Sequence, residues 1–344
     1  MASIQQFILG LTLKSPDWLL LRLSGKPQRK RGQRRLLPAF QCLCALMEKQ
    51  ITPLEKLSPT EARALWEDAP VDFDPPGRDR PVTREHTVPV NGGQIAVREY
   101  APAAASGPLP ALVYYHGGGW VVGSIESHEG LCERLAAISG CRVFSADYRL
   151  APEHPFPVPL ADCEAVFEWV AANAAGLGVD PQRIAAGGDS AGGNLTAALC
   201  NSRKGAGKSL PSLQLLIYPC TDMNFATASC KECATGLFLT LEAMKWFRGH
   251  YLRSQDEWSN PLASPLLAAD LSGQPPAIVV TAGFDPLADE GEAYAERLRA
   301  AGVPVTHRGY DSLIHGFANM SLIPEARAAV KEIAALLGHG MNRQ

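Results

Sequence analysis

The segment Gly188-Asp189-Ser190-Ala191-Gly192 follows directly on the run Arg183 to Gly187 and opens the small-residue stretch Gly193 to Ala198. That order predicts a serine on a sharp strand-to-helix elbow, its hydroxyl exposed at the end of a sheet. Glycines two before and two after the serine let the chain turn without Cβ clashes, and the amides at the start of the following helix face a developing negative charge. An elbow demands a strand behind it and a helix in front of it, so it constrains the fold more than any other feature. The five-residue pattern also arises by chance, and the reading needs independent partners.

The first partner is His116-Gly117-Gly118-Gly119-Trp120, which follows the apolar run Ala111 to Tyr115 and lies upstream of the elbow. Three consecutive glycines leave backbone amides approachable, as an oxyanion loop requires. A phosphate cradle would need a following Lys and Ser or Thr, which this loop lacks, so a P-loop is excluded. His116 is expected to brace the loop by hydrogen bonding.

A serine hydroxyl is a weak nucleophile near neutrality. It needs a histidine to take its proton and a carboxylate to hold that histidine in the right tautomer. The order expected is Ser, then Asp, then His. Asp285 follows the run Ala277 to Thr281, at a strand end where side chains converge. Asp289 competes with it but reads as a helix-start residue favoured by the helix dipole. Asp311 reads as part of a turn ahead of the histidine. That histidine is His315, in a polar turn after a strand predicted over 303–309, with Gly316 beside it. His86, His128, His154, His250, His307 and His339 lack a matching context and read as surface or packed residues.

With these residues in place the chain resembles the bacterial hormone-sensitive lipase-like esterases, or family IV. The resemblance rests on HGGGW, on Tyr148-Arg149-Leu150-Ala151-Pro152-Glu153-His154, on GDSAGGN, on the segment Asp285 to Asp289, and on His315-Gly316-Phe317, and it spans about residues 80–338. It implies an α/β-hydrolase fold, a mostly parallel eight-stranded sheet flanked by helices with a helical cap. By the same resemblance Ser190 is the nucleophile, Asp285 and His315 complete the triad, and the amides of Gly118, Gly119 and Ala191 form the oxyanion hole, with Gly117 ranked behind them.

With 344 residues, 46% apolar and 19% charged, and a net charge of −3, the chain has material for one large core and no basic excess to suggest nucleic acid. The expected organisation is a cap segment and linker over 1–80 and a catalytic core over 81–344, with a second cap segment at about 224–265. Ile4, Phe7, Ile8 and Leu11 repeat at helical spacing, as do Leu43, Leu46 and Met47. The Pro-rich stretch Pro70 to Pro81 reads as the linker. Strands are expected near 85–90, 94–100, 111–115, 142–146, 183–187, 213–218, 277–281 and 303–309, with helices between most of them. The basic run Lys26 to Arg35 is read as a solvated loop rather than as contact with an anionic lipid surface.

Nine scattered cysteines in mostly apolar contexts read as reduced, packed thiols. Cys230 and Cys233 have metal-ligand spacing but no second pair, so no metal is expected. The N-terminus lacks the pattern of a secretory leader, and no apolar run approaches the ~20 residues of a membrane span. The expectation is a cytoplasmic protein without stable membrane insertion, for which a homo-oligomer is neither required nor excluded.

The chemistry these residues imply is two-step acyl transfer on a small-molecule ester, with no cofactor. An oxyanion donor is worth about 3 kcal/mol in such a reaction. The resemblance suggests short to medium acyl chains of roughly four to eight carbons, because a cap closes the site. Trp120, Tyr218 and Leu287 are candidate pocket walls. An amidase or deacetylase on the same triad, and a non-catalytic ligand-binding member of the fold, are the competing readings. The retained His315 argues against the second.

Overall fold

Alternating side chains in each central strand feed two different cores. In the computed structural model, which describes residues 12–68, 80–103 and 107–342, Leu112 and Tyr114 of one strand enter one apolar cluster while Ala111, Val113 and Tyr115 enter another. A strand buried on both faces reads as a continuous apolar run, as this one does. The helical spacing at Ile4 to Leu11 and nearly all of the Pro70 to Pro81 stretch lie outside the described residues.

The ten strands are β1 (Lys30–Arg31), β2 (Arg34–Arg35), β3 (Val82–Val90), β4 (Gly93–Ala101), β5 (Leu109–Tyr115), β6 (Arg142–Ala146), β7 (Val179–Asp189), β8 (Gln214–Ile217), β9 (Ala277–Phe284) and β10 (Val305–Ile314). The last eight form one sheet in the order β10-β9-β8-β7-β5-β6-β4-β3. Pairings of β3 with β4 and of β4 with β6 are antiparallel; the rest are parallel. The eight-stranded, mostly parallel sheet matches expectation.

Eleven α-helices are named in chain order: α1 (Asp17–Ser24), α2 (Pro38–Gln50), α3 (Pro59–Asp68), α4 (Glu129–Ser139), α5 (Val158–Ala172), α6 (Ala174–Leu177), α7 (Ala191–Gly205), α8 (Ala228–Glu232), α9 (Leu241–Tyr251), α10 (Ala288–Ala300) and α11 (Pro324–Asn342). Leu131 and Leu135 of α4 and Val330, Ile333 and Leu337 of α11 join the cluster on one face of the sheet. Leu160, Val166 and Phe167 of α5 and Leu195 and Leu199 of α7 join the cluster on the other. The parallel strands therefore run in a doubly covered sheet whose C-terminal ends share one rim, where α/β sheets bind ligands.

Two corrections to the sequence reading concern segments that touch this rim. First, the strand expected to stop at 309 continues to Ile314. Its pairing with β9 slips between Tyr310 and Ile314, so residues 311–313 form an irregularity inside the strand and not a turn after it. Gly283 makes room for it, since a Cβ there would collide with the Asp311 backbone. Second, the run Lys26 to Arg35 is not a solvated loop. It folds into the β1–β2 hairpin, and Arg29, Arg31 and Arg34 all bond to other parts of the protein.

Local signals start the covering helices. Ser58 and Glu61 form a capping box at α3, with Ser58 N donating to Glu61 Oε2 at 2.8 Å and Pro59 opening the helix. The side chains of Thr227 and Thr240 cap α8 and α9. Arg63 then pins α3 to the core, donating to Val121 O at 2.8 Å and Ala151 O at 2.7 Å. No helix among the described residues is long and apolar enough to cross a membrane.

Helix α2 shares its core with the sheet: Phe40 is fully buried in the cluster that holds Leu112 and Ile217. Phe40→Ala is expected to lower the stability of the whole protein by about 3–5 kcal/mol, read as a fall in the urea midpoint of the main transition. A separate early transition, with the main one unmoved, would show that this helix melts independently of the sheet.

Candidate active site

Four strands of the sheet end at one rim, and each leads into one of the candidate residues. His116 follows β5, Ser190 follows β7, Asp285 follows β9 and His315 follows β10. Ser190 adopts φ 53° and ψ −114°, a backbone state that a non-glycine residue reaches only under constraint. The constraint is tight packing of the helix start on β5, because a Cβ on Gly192 would run into the Tyr115 carbonyl. The strained turn lifts the hydroxyl off the sheet.

His315 Nε2 lies 2.9 Å from Ser190 Oγ, and His315 Nδ1 lies 2.8 Å from Asp285 Oδ2. In the tautomer that satisfies both neighbours, Nδ1–H donates to the carboxylate and the serine hydroxyl donates to Nε2. Asp285 is fully buried, and its other oxygen accepts from Leu287 N at 2.8 Å. Asp289 does not reach the histidine; it accepts from Arg31 and from Ser229 N. Asp311 pairs with Arg34 at 2.7 Å.

Beside the serine, the glycine loop is held open by two aromatic and acidic braces. The His116 ring stacks on Tyr148 with centroids 4.3 Å apart, and its Nδ1–H donates to Gly117 O at 2.7 Å. Burial, helped by the neighbouring His128, pushes its pKa down to about 3, so the ring is neutral near pH 7. Gly117 N donates to Asp189 Oδ1 at 2.9 Å and is already engaged. The amides of Gly118 and Gly119 meet no acceptor among the described residues, and Ala191 leads α7, whose first amides have no partner within the helix. The amides of Gly118, Gly119 and Ala191 thus carry no acceptor among the described residues.

Asp189, one residue before the serine, was not assigned a role from sequence. It is buried with four neighbours: Tyr114 Oη donates to it at 2.6 Å, Gly117 N at 2.9 Å and Tyr218 Oη at 3.4 Å, while His128 Nε2 lies at 3.3 Å. Burial opposes its ionisation, but His128 and the hydrogen bonds outweigh it and hold the pKa down at about 2. A folded-state value below the ordinary 3.8 means that its contribution is complete above that pH and is lost as pH falls toward 2. The only sequence signal was an acid in an otherwise small-residue elbow.

Of the proposed pocket walls, Tyr218 packs against the His315 ring at 4.7 Å, Trp120 stacks on Tyr251 at 4.3 Å, and Leu287 is buried in the core. Three further aromatic residues flank the site: Phe238 and Phe247, from the stretch expected at about 224–265 to supply the second cap segment, and Trp66, which the sequence did not single out. Phe247 of α9 occupies the space a side chain at position 119 would need, Phe238 lies against Gly316, and Trp66 of α3 tilts on Phe238 at 6.1 Å. Cys230 and Cys233 are buried in the two apolar clusters, and burial pushes both thiols up to about 11.

A family model described as the α/β hydrolase fold matches residues 112–319. Among curated proteins, the carboxylic ester hydrolase LipN of Mycobacterium tuberculosis is 44% identical over 74% of this chain and 69% of its own length. The ethyl acetate hydrolase of Pseudomonas putida is 34% identical over 84% and 93%. Among solved structures, the carboxylesterase EstE1, cloned from a metagenomic library, superposes with a TM-score of 0.80 at 42% identity, covering 83% of this chain and 98% of that one.

Removing the Asp189 carboxylate leaves Tyr114 Oη unpaired and Gly117 N with only its longer, 3.3 Å bond to His128 Nε2. Asp189→Ala is expected to cost about 3–5 kcal/mol in stability, measured by urea denaturation near pH 7, and to lower kcat more than it raises KM in the protein that remains folded. Parent-like kcat in folded variant would show that the glycine loop keeps its shape without this anchor.

Proposed function

Since the chain belongs to the hormone-sensitive lipase-like, family IV esterases of the α/β-hydrolase superfamily and is a carboxylic ester hydrolase, we propose that it cleaves short- to medium-chain acyl esters with Ser190, His315 and Asp285 as its triad. The reading rests on one observation, the unbroken line from Asp285 Oδ2 through the His315 ring to Ser190 Oγ, at 2.8 and 2.9 Å.

Ser190 Oγ attacks the ester carbonyl as His315 Nε2 takes its proton, and the former carbonyl oxygen becomes an oxyanion facing the amides of Gly118, Gly119 and Ala191. These donors act on charge that exists only in the transition state and the tetrahedral intermediate. As the intermediate collapses, the carbon–oxygen bond to the alcohol breaks and His315 gives the leaving oxygen its proton. Water then repeats the sequence on the acyl-enzyme, releasing the acid and restoring Ser190. Asp285 stays ionised and holds the imidazolium.

Chain length follows from what covers the serine. Phe247 stands over the glycine loop and Phe238 over the residue after His315, both from the segment proposed as a cap over 224–265, while Trp66 of the segment over 1–80 packs on Phe238. Aromatic rings this close to the glycine loop and to Gly316 support small acyl groups over long ones. The relative named for ethyl acetate points the same way.

Hydrolysis of p-nitrophenyl esters of increasing acyl length tests the reading. Activity is expected to peak at short or medium chains and to fall to background in Ser190→Ala. Asp285→Asn is expected to lower kcat by roughly 10⁴. A folded parent protein that turns over no ester in the series would sink the proposal.

A further inference from the structure

The hairpin made by the basic run carries an arginine aimed at the loop of the triad acid. Arg31 is only 13% exposed and has three partners at once: Nε donates to Glu232 Oε2 at 2.6 Å, Nη2 to Asp289 Oδ1 at 2.6 Å and Nη1 to Gly283 O at 3.3 Å. Gly283 and Asp289 bracket Asp285. Glu232 ends α8, the first helix of the segment that covers the site.

The same cation therefore grips two elements that are also stitched directly to each other. The second oxygen of Asp289 accepts from Ser229 N at 2.7 Å, and Ser229 Oγ donates to Pro286 O at 2.8 Å while accepting from Asp289 N at 3.1 Å. Its neighbour Arg29 reaches only the covering segment, donating to Thr235 O at 2.6 Å and Glu232 O at 2.7 Å. A guanidinium suits the Arg31 position because its donors lie in a rigid planar fork that can meet separate acceptors together, which an ammonium on a flexible stem cannot.

We propose that Arg31 is a positioning residue of the esterase, setting the acid loop 283–289 and helix α8 against one another so that the reach of Asp285 to His315 and the seating of the covering segment are fixed together. The proposal rests on Asp285 being the triad acid. Asp285 is buried and bonded on both oxygens, to His315 and to Leu287 N, so a shift of its loop is passed straight to the histidine. Misplacement by about 1 Å from a remote change can cost roughly a hundredfold in rate. Arg29 serves as the internal comparison, since it ties the hairpin to the covering segment and not to the acid loop.

The experiment compares full-length Arg31→Ala, Arg31→Lys and Arg29→Ala with the parent. Three readouts are taken: kcat and KM on p-nitrophenyl butyrate, the low-field proton resonance of the hydrogen bond between His315 and Asp285, and the urea midpoint. Arg31→Ala is expected to lower kcat roughly ten- to a hundredfold and to shift or broaden the low-field resonance in folded protein, and Arg31→Lys to recover part of both. Arg29→Ala is expected to raise KM while keeping the resonance and holding kcat within about twofold.

Parent-like kcat and resonance in Arg31→Ala, with only the urea midpoint lowered, would overturn the proposal and leave Arg31 a structural strap. Identical effects of Arg29→Ala and Arg31→Ala would do the same. Should Arg31→Ala not fold, Asp289→Asn and Glu232→Gln cut the two arms singly. The first must then move kcat and the resonance and the second KM alone; any other division overturns the proposal. Absence of ester turnover in the parent would instead count against the function proposed above, and the resonance comparison would still decide the role of Arg31.

Discussion

A carboxylate buried one residue before Ser190 ties this rim together. Asp189 gathers Tyr114 from β5, Tyr218 from the end of β8, Gly117 from the glycine loop and the ring of His128 around one charge. An unpaired carboxylate there would be prohibitively costly, so the four groups must converge wherever the protein is folded. Convergence also engages the Gly117 amide, while those of Gly118 and Gly119 meet no acceptor among the described residues. Strain at Ser190 persists because this network and the contact of Gly192 with the Tyr115 carbonyl leave the elbow no other shape.

The histidine arrives from the edge of the sheet by a different device. Strand β10 slips in register against β9 so that Ile314 pairs with Phe284, which sets His315 level with Asp285. Gly283 is the residue that permits the slip. Catalytic geometry here depends on an irregular strand supported by its neighbour, and the neighbour's own loop is in turn held from outside by the arginine hairpin. Rigid scaffold and positioned loop thus meet at the acid, as sites of this class require.

Segments outside the sheet are not merely laid over it. Helix α2 buries Phe40 with sheet residues, α3 is pinned by Arg63 to Val121 beside the glycine loop, and α9 sets Phe247 over Gly119. The covering segments and the glycine loop therefore share contacts, with rings supplied by two stretches of chain far apart in sequence. Burial of apolar surface drives this closure, while the arginine bonds fix its register.

Much of the fold and of the site was legible in the sequence, because its signals are local. Strand runs, the Ser190 elbow and the His116 to Gly119 loop each need only a short stretch of chain to be read, and the core strands lie close to where their residue pattern put them, the last one running on past its expected end. Tertiary structure alone decided the rest. Arg31 meets Asp289 across 258 positions, Tyr114 meets Asp189 across 75, and neither pair leaves a mark in spacing or periodicity. The basic run reads as solvated because charge normally seeks water, and only the folded chain supplies the acids and carbonyls that draw its arginines inward. The strand irregularity at 311–313 likewise follows from a neighbour's missing side chain. Local chemistry specified which residues could act; contacts between distant segments decided how they are held.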